Sequence, residues 1–218
     1  MNSIKDVGVT YDKKFSFTDH AELASKAMSM LSFIKRQCYG RFNVHTAKML
    51  YSAIVRSHLE FASTIWAPHH DVHIQSLESI QRQFVLYANQ NRYEDESQNS
   101  YQLRPYVDRC NELNLQSLLR HRTNAAVYFI HDVRTGRINS QFIRERIELN
   151  DGSITLRKSS MIQLKPGPHY FRFSPLNFAC RLFNIAANHV DTTLPSSEFR
   201  SKVRDLDDSV FRSFGVVN

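Results

Sequence analysis

Alternating apolar and polar residues at the start of the chain predict a short β element. The apolar side chains occupy odd positions: Val7, Val9, Tyr11, Phe15 and Phe17. Gly8 and the Asp12-Lys13-Lys14 segment supply turn residues between them. We therefore expect an amino-terminal β-hairpin. It should pack against another element, because two strands alone are only marginally stable.

Three segments with apolar residues at helical spacing follow, and they predict a small bundle. The first begins after the capping-box pair Asp19 and Glu22, and its apolar face is Ala24, Ala27, Met28, Leu31 and Ile34. The second begins after Asn43 and ends at Pro68, because proline disfavours helix in the residue before it. Its apolar face is Ala47, Leu50, Tyr51, Ile54, Ala62, Ile65 and Trp66. The third begins near Asp71, and its apolar face is Ile74, Leu77, Ile80, Phe84 and Ala88. Trp66 is expected to pack against Ile74 and Leu77.

A polar segment at 93–100 predicts a linker between a first region, 1–92, and a second region, 101–218. The second region is expected to be helical with an irregular middle. One helix should end near Gly136, and its apolar residues are Leu113, Leu115, Leu118, Leu119, Ala126, Val127 and Ile130. Glycine and proline interrupt 151–174, where one short strand is expected at Ile154–Leu156. Further helices should begin at Ser174-Pro175 and after Pro195. The fold class is thus mainly α, with an amino-terminal β-hairpin.

Charge adds a class of partner to this picture. The chain has 218 residues and a net charge of +7, and arginine accounts for 19 of its 28 basic residues. Arginine pairs with phosphate through two parallel hydrogen bonds and stacks on bases. The composition therefore favours a nucleic-acid partner over a merely soluble surface.

Other features point to a soluble intracellular protein of the nucleus or cytoplasm. The three cysteines, Cys38, Cys110 and Cys180, are too widely spaced and too few for a disulfide framework or a zinc site. No apolar run reaches the roughly 18 residues of a membrane span. The amino terminus lacks the apolar segment of a signal peptide. Oligomeric state cannot be read from these features.

Two clusters invite a catalytic interpretation. In His69-His70-Asp71-Val72-His73, His69 and His73 would face the same way on a helix and Asp71 could add a ligand. Zinc sites normally need three or four convergent ligands, and no HExxH glutamate follows. A solvated helix start after Pro68 is therefore favoured. Asp207-Asp208 resembles a polymerase metal pair, but it falls in an amphipathic helix without a third carboxylate. We therefore expect no catalytic residue, no metal site and no cofactor in this chain.

Basic residues at helical spacing remain as the candidate functional surface. Lys48, Ser52 and Arg56 recur every four residues, which places them along one side of a helix. The candidate nucleic-acid contacts are Lys35, Arg36, Lys48, Arg56 and Arg82. A solvated surface is the alternative, since basic residues near helix carboxyl ends are also favoured by the helix dipole.

Short segments occur in a characteristic order along the chain: Lys5-Asp6-Val7-Gly8-Val9, Leu50 to Ser57, Leu59-Glu60-Phe61-Ala62-Ser63, Trp66-Ala67-Pro68, Leu77 to Phe84, Pro105-Tyr106 and Cys180 to Asn184. In this order they resemble the reverse transcriptases of non-LTR, jockey-like retrotransposons. The resemblance covers most of the chain, about residues 4 to 215. In that family they follow the polymerase palm.

The resemblance implies a noncatalytic, thumb-side piece of an RNA-directed DNA polymerase that grips the template–primer duplex. The family's metal-binding aspartates have no counterpart here, so Mg²⁺ is implied only for the missing palm. A truncated copy, a partial gene model and a co-opted gene all fit equally well. The alternative from another class is a helical protein-interaction domain or structural remnant without a nucleic-acid role.

Overall fold

The computed structural model describes residues 3–13, 17, 22–39, 43–66, 68, 70–90, 105–149, 162–164 and 174–214. In this part of the chain the fold is mainly helical with a short amino-terminal hairpin, which confirms the predicted class. The chain divides into two compact units, the first formed by Met1–Ala62 and Pro68–Leu118, the second by Ser63–Ala67 and Leu119–Asn218. This division differs from the one expected from the sequence, whose linker at 93–100 lies outside the described residues. No helix of the described residues is long and apolar enough to cross a membrane.

Strands β1, Ser3–Asp6, and β2, Val9–Asp12, form the antiparallel hairpin. Its turn is Val7-Gly8, whose φ angles of 44° and 82° are those of a type I′ turn. The sequence predicts turn residues at Gly8, which does lie in this turn, and at 12–14, and it places Val7 on the buried face. Val7 instead lies at the hairpin tip and is 79% exposed. Val9 is buried as expected.

The described part of the first unit also contains four helices. Helix α1 is Leu23–Cys38, and it buries the apolar face that its sequence predicts, with Met28 only half-buried. The predicted cap Asp19 lies outside the described residues. Helix α3 is Asp71–Gln90, and α4 is Tyr106–Glu112. The short helix α4 was not anticipated.

Helix α2 follows α1 in the chain, and its helix type changes from α to π and back to α. It consists of α-helix at Val44–Leu50, π-helix at Tyr51–Arg56 and a final α-helical turn at Ser57–Glu60. The Asn43 carboxamide accepts a hydrogen bond from Thr46 N–H at 2.9 Å, which confirms the predicted cap. The expected end at Pro68 is wrong. The helix stops at Glu60, and Ala62 has a φ of 53°.

The π-helical segment alters which residues α2 buries. In an α-helix, residues four apart drift around the axis by roughly 40°. The wider π turn offsets this drift, and the fully buried positions recur every four residues: Ala47, Tyr51, Val55 and Leu59. Ile54 and Ile65, expected in the core, are 38% and 48% exposed.

A buried polar network joins α4 and the following loop to α3. Gln81 donates to the Gln116 carbonyl at 2.8 Å and accepts from the Tyr51 hydroxyl at 3.1 Å. The Glu78 carboxylate accepts from the Tyr106 hydroxyl at 2.6 Å and from Leu118 N–H at 3.3 Å. Because burying such groups unpaired is costly, these bonds explain why the first unit extends to Leu118.

Helix α5, Leu118–Arg134, belongs to the second unit from Leu119 onwards, and it ends near Gly136 as predicted. The expected single helix from Leu113 is interrupted, because 113–117 is not helical and Asn114 has a φ of 49°. Helix α6, Gln141–Arg146, leads into strand β3, Ile147–Leu149, which pairs antiparallel with β4, Ile162–Leu164. The strand expected at 154–156 lies outside the described residues.

Two further helices and a 3₁₀ segment close the second unit. Helix α7 is Pro175–Ala186, where Ser174 Oγ accepts from Asn177 N–H at 3.3 Å, as the Ser-Pro start predicts. Helix α8 is Ser196–Asp205, followed by a 3₁₀ helix at Asp208–Phe214. Their shared core contains Ala126, Val127, Ile130, Ile162, Ala179, Cys180, Leu182, Phe183, Ala186, Val190, Phe199, Val203 and Phe211.

Arg120 fixes the carboxyl end of α8 inside this unit. Its guanidinium donates to the carbonyls of Val203 at 2.9 Å and Leu206 at 2.7 Å, and it pairs with Asp208 at 3.4 Å. It also lies over the Phe211 ring at 4.8 Å. Arg120 thereby binds the Val203 carbonyl, which also accepts from Leu206 N–H, and the Leu206 carbonyl just beyond the end of α8.

Candidate nucleic-acid interface

The five basic residues singled out from the sequence all belong to helices of the first unit, but their surroundings differ. Arg36 lies in the last turn of α1 and is exposed. Its guanidinium forms no ion pair with the residues that the structure describes. Of the five, Arg36 is therefore the best placed to meet a phosphate.

Arg56 lies at the end of the π-helical segment and is only 9% exposed. Its Nε donates to Glu60 Oε1 at 2.9 Å. Lys48, Ser52 and Arg56 do share one side of α2, yet that side adjoins the buried positions described above. The geometry therefore gives Arg56 an internal ion pair and leaves little of its side chain accessible to a ligand.

Lys35 and Arg82 each lie over a tyrosine ring. The Lys35 ammonium is 6.0 Å from the Tyr87 ring centroid, and burial lowers the pKa of Lys35. The Arg82 guanidinium carbon is 5.2 Å from the Tyr106 centroid. Both side chains are half-buried. They contribute positive potential near the surface while part of each stem packs against aromatic carbon.

Lys48 is also half-buried, and it reaches across to the loop after α4. Its Nζ donates to the Asn114 carbonyl at 3.4 Å. A long, weak bond of this kind is easily exchanged for a charged partner. Lys48 can therefore serve as a secondary contact.

Besides Arg36, the solvent face of α1 carries functional candidates that the sequence analysis did not single out. Lys26, Ser29, Phe33 and Arg36 are exposed and spaced three, four and three residues apart, which places them along one side of the helix. Phe33 is 54% exposed between the two cations. Helix α1 contains no acidic residue. A helical projection of the sequence reveals this stripe, since it lies opposite Ala27, Leu31 and Ile34.

A cavity of about 540 Å³ lies at the amino-terminal end of the same helix. Lys5 and Thr10 of the hairpin line it on one side, and Ser25 and Lys26 of α1 line it on the other. Glu22 also lines it, so its charge is mixed. The cavity continues the polar, cationic surface of α1 towards the hairpin.

The two clusters considered for catalysis do not form metal sites in the described part of the chain, where no group of three potential metal ligands converges. His70 is exposed and His73 half-buried, while His69 lies outside the described residues. Asp207 is exposed and precedes the 3₁₀ helix, and Asp208 pairs with Arg120. The expectation that both aspartates lie inside a helix is wrong.

The three cysteines are buried and unpaired with one another, as expected. Burial raises the pKa of the Cys180 thiol to about 12 and also raises that of Cys110. A thiol needs a lowered pKa to act as a nucleophile at neutral pH. These residues therefore serve as core side chains.

Comparison of the chain with protein-family models, with curated proteins and with solved structures finds no significant match. The resemblance to reverse transcriptases thus rests on the residues quoted above.

Proposed function

We propose that the chain binds duplex nucleic acid through α1, as the thumb-side region of a non-LTR retrotransposon reverse transcriptase. The observation that carries this proposal is the stripe of Lys26, Phe33 and Arg36, three exposed side chains on a helix without an acidic residue. Lys5 beside the amino-terminal end, and Lys35 beside Arg36, extend the positive surface.

The geometry of the stripe suits a phosphate backbone. Lysine and arginine that neutralise phosphates release condensed counterions, which provides most of the affinity in sequence-independent binding. An exposed aromatic ring between cations can lie against a sugar or stack on an unpaired base at a duplex end. The stripe therefore favours contact with any sequence over base-specific readout.

The arrangement of elements is compatible with a thumb. A hairpin is followed by three packed helices, as the resemblance implies for the segment after a palm. We propose no catalytic role, since the family's metal-binding aspartates match no position here. Mg²⁺ belongs to the palm of the family's polymerases.

The experiment compares two double variants of the full chain on a fluorescent RNA–DNA duplex. Lys26→Ala with Arg36→Ala removes the proposed contacts. Lys202→Ala with Arg137→Ala removes the same charge from the second unit, where both side chains are more than half exposed. Near 0.1 M salt each lost phosphate contact should weaken binding by about tenfold. The α1 variant should therefore bind far more weakly than the control.

Equal weakening in both double variants would mean that only net charge matters and that α1 is no interface. No duplex binding by the unaltered chain at low salt would favour the rival function, a helical interaction domain or structural remnant. Circular dichroism of both variants checks that the helices persist.

A further inference from the structure

The second unit contains a cavity of about 430 Å³ beside the end of α5. Its floor is apolar and includes Ile130, Val133 and Ile162, all of which are buried. Arg134 and Arg144 line the same cavity. Small-molecule sites have volumes of about 300–1,000 Å³, with mostly apolar walls and a few polar groups that fix the ligand. The cavity has this composition.

The two arginines have donors to offer a ligand. Arg134 donates one hydrogen bond to the Thr192 hydroxyl, at 2.5 Å. Arg144 is exposed, and its guanidinium forms no hydrogen bond or ion pair with the residues that the structure describes. None of the described residues that line the cavity is acidic. The Arg144 guanidinium thus brings positive charge to the edge of an apolar floor, and Arg134, whose charge also acts on the Asp191 carboxylate, adds a second cation there.

Gly136 accounts for the position of Arg144. It has a φ of 82°, which L side chains rarely adopt, and it ends the turn after α5. A Cβ atom added there would lie 3.1 Å from Arg144 Nη2, closer than ordinary contact. Glycine therefore lets the guanidinium lie against the turn, at the rim of the cavity.

We propose that this cavity binds a small carboxylic acid with an apolar body. The carboxylate pairs with the Arg144 guanidinium, whose planar fork matches two carboxylate oxygens, and Arg134 adds a second donor. The hydrocarbon packs on Ile130, Val133 and Ile162. This site is independent of the proposed nucleic-acid function, because its residues belong to the second unit and α1 belongs to the first.

The test titrates the full chain with octanoate and with 4-phenylbutyrate by calorimetry. Octanol, which has a similar chain and no charge, and inorganic phosphate, which has charge and no apolar body, are the comparison ligands. Both acids should bind saturably at one site. Octanol and phosphate should each bind at least about tenfold more weakly, because each lacks one half of the recognition.

Variants locate the site. Arg144→Gln should weaken octanoate binding by about tenfold to a hundredfold, the effect of losing a charged hydrogen-bond donor. Arg144→Lys, which keeps the charge without the planar fork, should fall between Arg144→Gln and the unaltered chain. Arg146→Gln is the matched control, because Arg146 is two residues away and lies over the Phe142 ring at 4.7 Å.

Three results would overturn the proposal. The first is no saturable binding of either acid. The second is octanol or phosphate binding as tightly as octanoate. The third is equal loss of affinity in Arg144→Gln and Arg146→Gln. Since Arg144 is exposed, these variants should melt with the unaltered chain, and melting curves provide the check on folding.

Discussion

His131 is completely buried in α5 and stacks on Phe199, with ring centroids 4.0 Å apart and planes 12° apart. Burial lowers the pKa of His131 and outweighs the opposing effects of the Leu194 backbone and of Asp132, while Arg134 and Arg200 lower the pKa to a smaller extent. The folded chain therefore favours the neutral imidazole. A neutral ring suits a stack inside an apolar core, because a buried charge there would lack water.

The lowered pKa of His131 predicts that the second unit becomes less stable at acidic pH. The unfolded chain takes up a proton at His131 as pH falls through about 6.5, while the folded chain resists it. The contribution of His131 to stability is thus fully present above about pH 6.5 and is lost as pH falls below that value. His131→Phe keeps an aromatic ring beside Phe199 and removes the titration. The melting temperature should drop less between about pH 7.5 and about pH 5.5 in this variant than in the unaltered chain. An equal drop in both proteins would show that other groups govern the acid response.

Trp66 shows where residue-level prediction succeeds and where it stops. Its side chain is fully buried, with 0% of its surface accessible, so the expectation of a core residue is confirmed. The Arg122 guanidinium lies 4.0 Å from its ring centroid. The expected neighbours Ile74 and Leu77 belong to the first unit, whereas Trp66 belongs to the second. Apolar character predicts burial, but it does not say in which core.

At the scale of elements, local chemistry predicts helix starts better than helix ends. Asn43 and Ser174 cap their helices as expected, because a side-chain oxygen next to orphan N–H groups is a local interaction. The end of α2 is not local. The segment that follows it, Ser63–Ala67, belongs to the second unit, and no nearby residue in the sequence predicts this. The π-helical segment was not predicted either, because apolar spacing is interpreted on the assumption that a helix has the same number of residues in every turn.

The caps give a matched pair of variants. Asn43→Ala removes an oxygen that accepts from Thr46 N–H, and it should lower the free energy of unfolding by about 0.5–2 kcal/mol. Ser140 precedes α6 but makes no side-chain cap bond, so Ser140→Ala should change stability little. Urea denaturation measures both. A loss at Ser140 as large as that at Asn43 would show that the cap bond is not the cause.

At the scale of the whole molecule, the sequence predicted the mainly helical class and the basic character but only part of the candidate interface. Arg36 is exposed as required, whereas Arg56 is buried beside Glu60. Spacing showed that Arg56 shares a helix side, but it could not show that this side adjoins a core. Lys26 and Phe33 were overlooked because they stand singly in the sequence and join Arg36 only on the folded helix.

The salt dependence of duplex binding tests the central claim most directly. For B-DNA the slope of log K against log salt is about −0.9 per phosphate contact. Arg36→Ala should therefore flatten the slope by about 0.9, while Lys202→Ala in the second unit should leave it unchanged. A slope that is the same in the unaltered chain and in Arg36→Ala would contradict the assignment of α1 as the nucleic-acid interface.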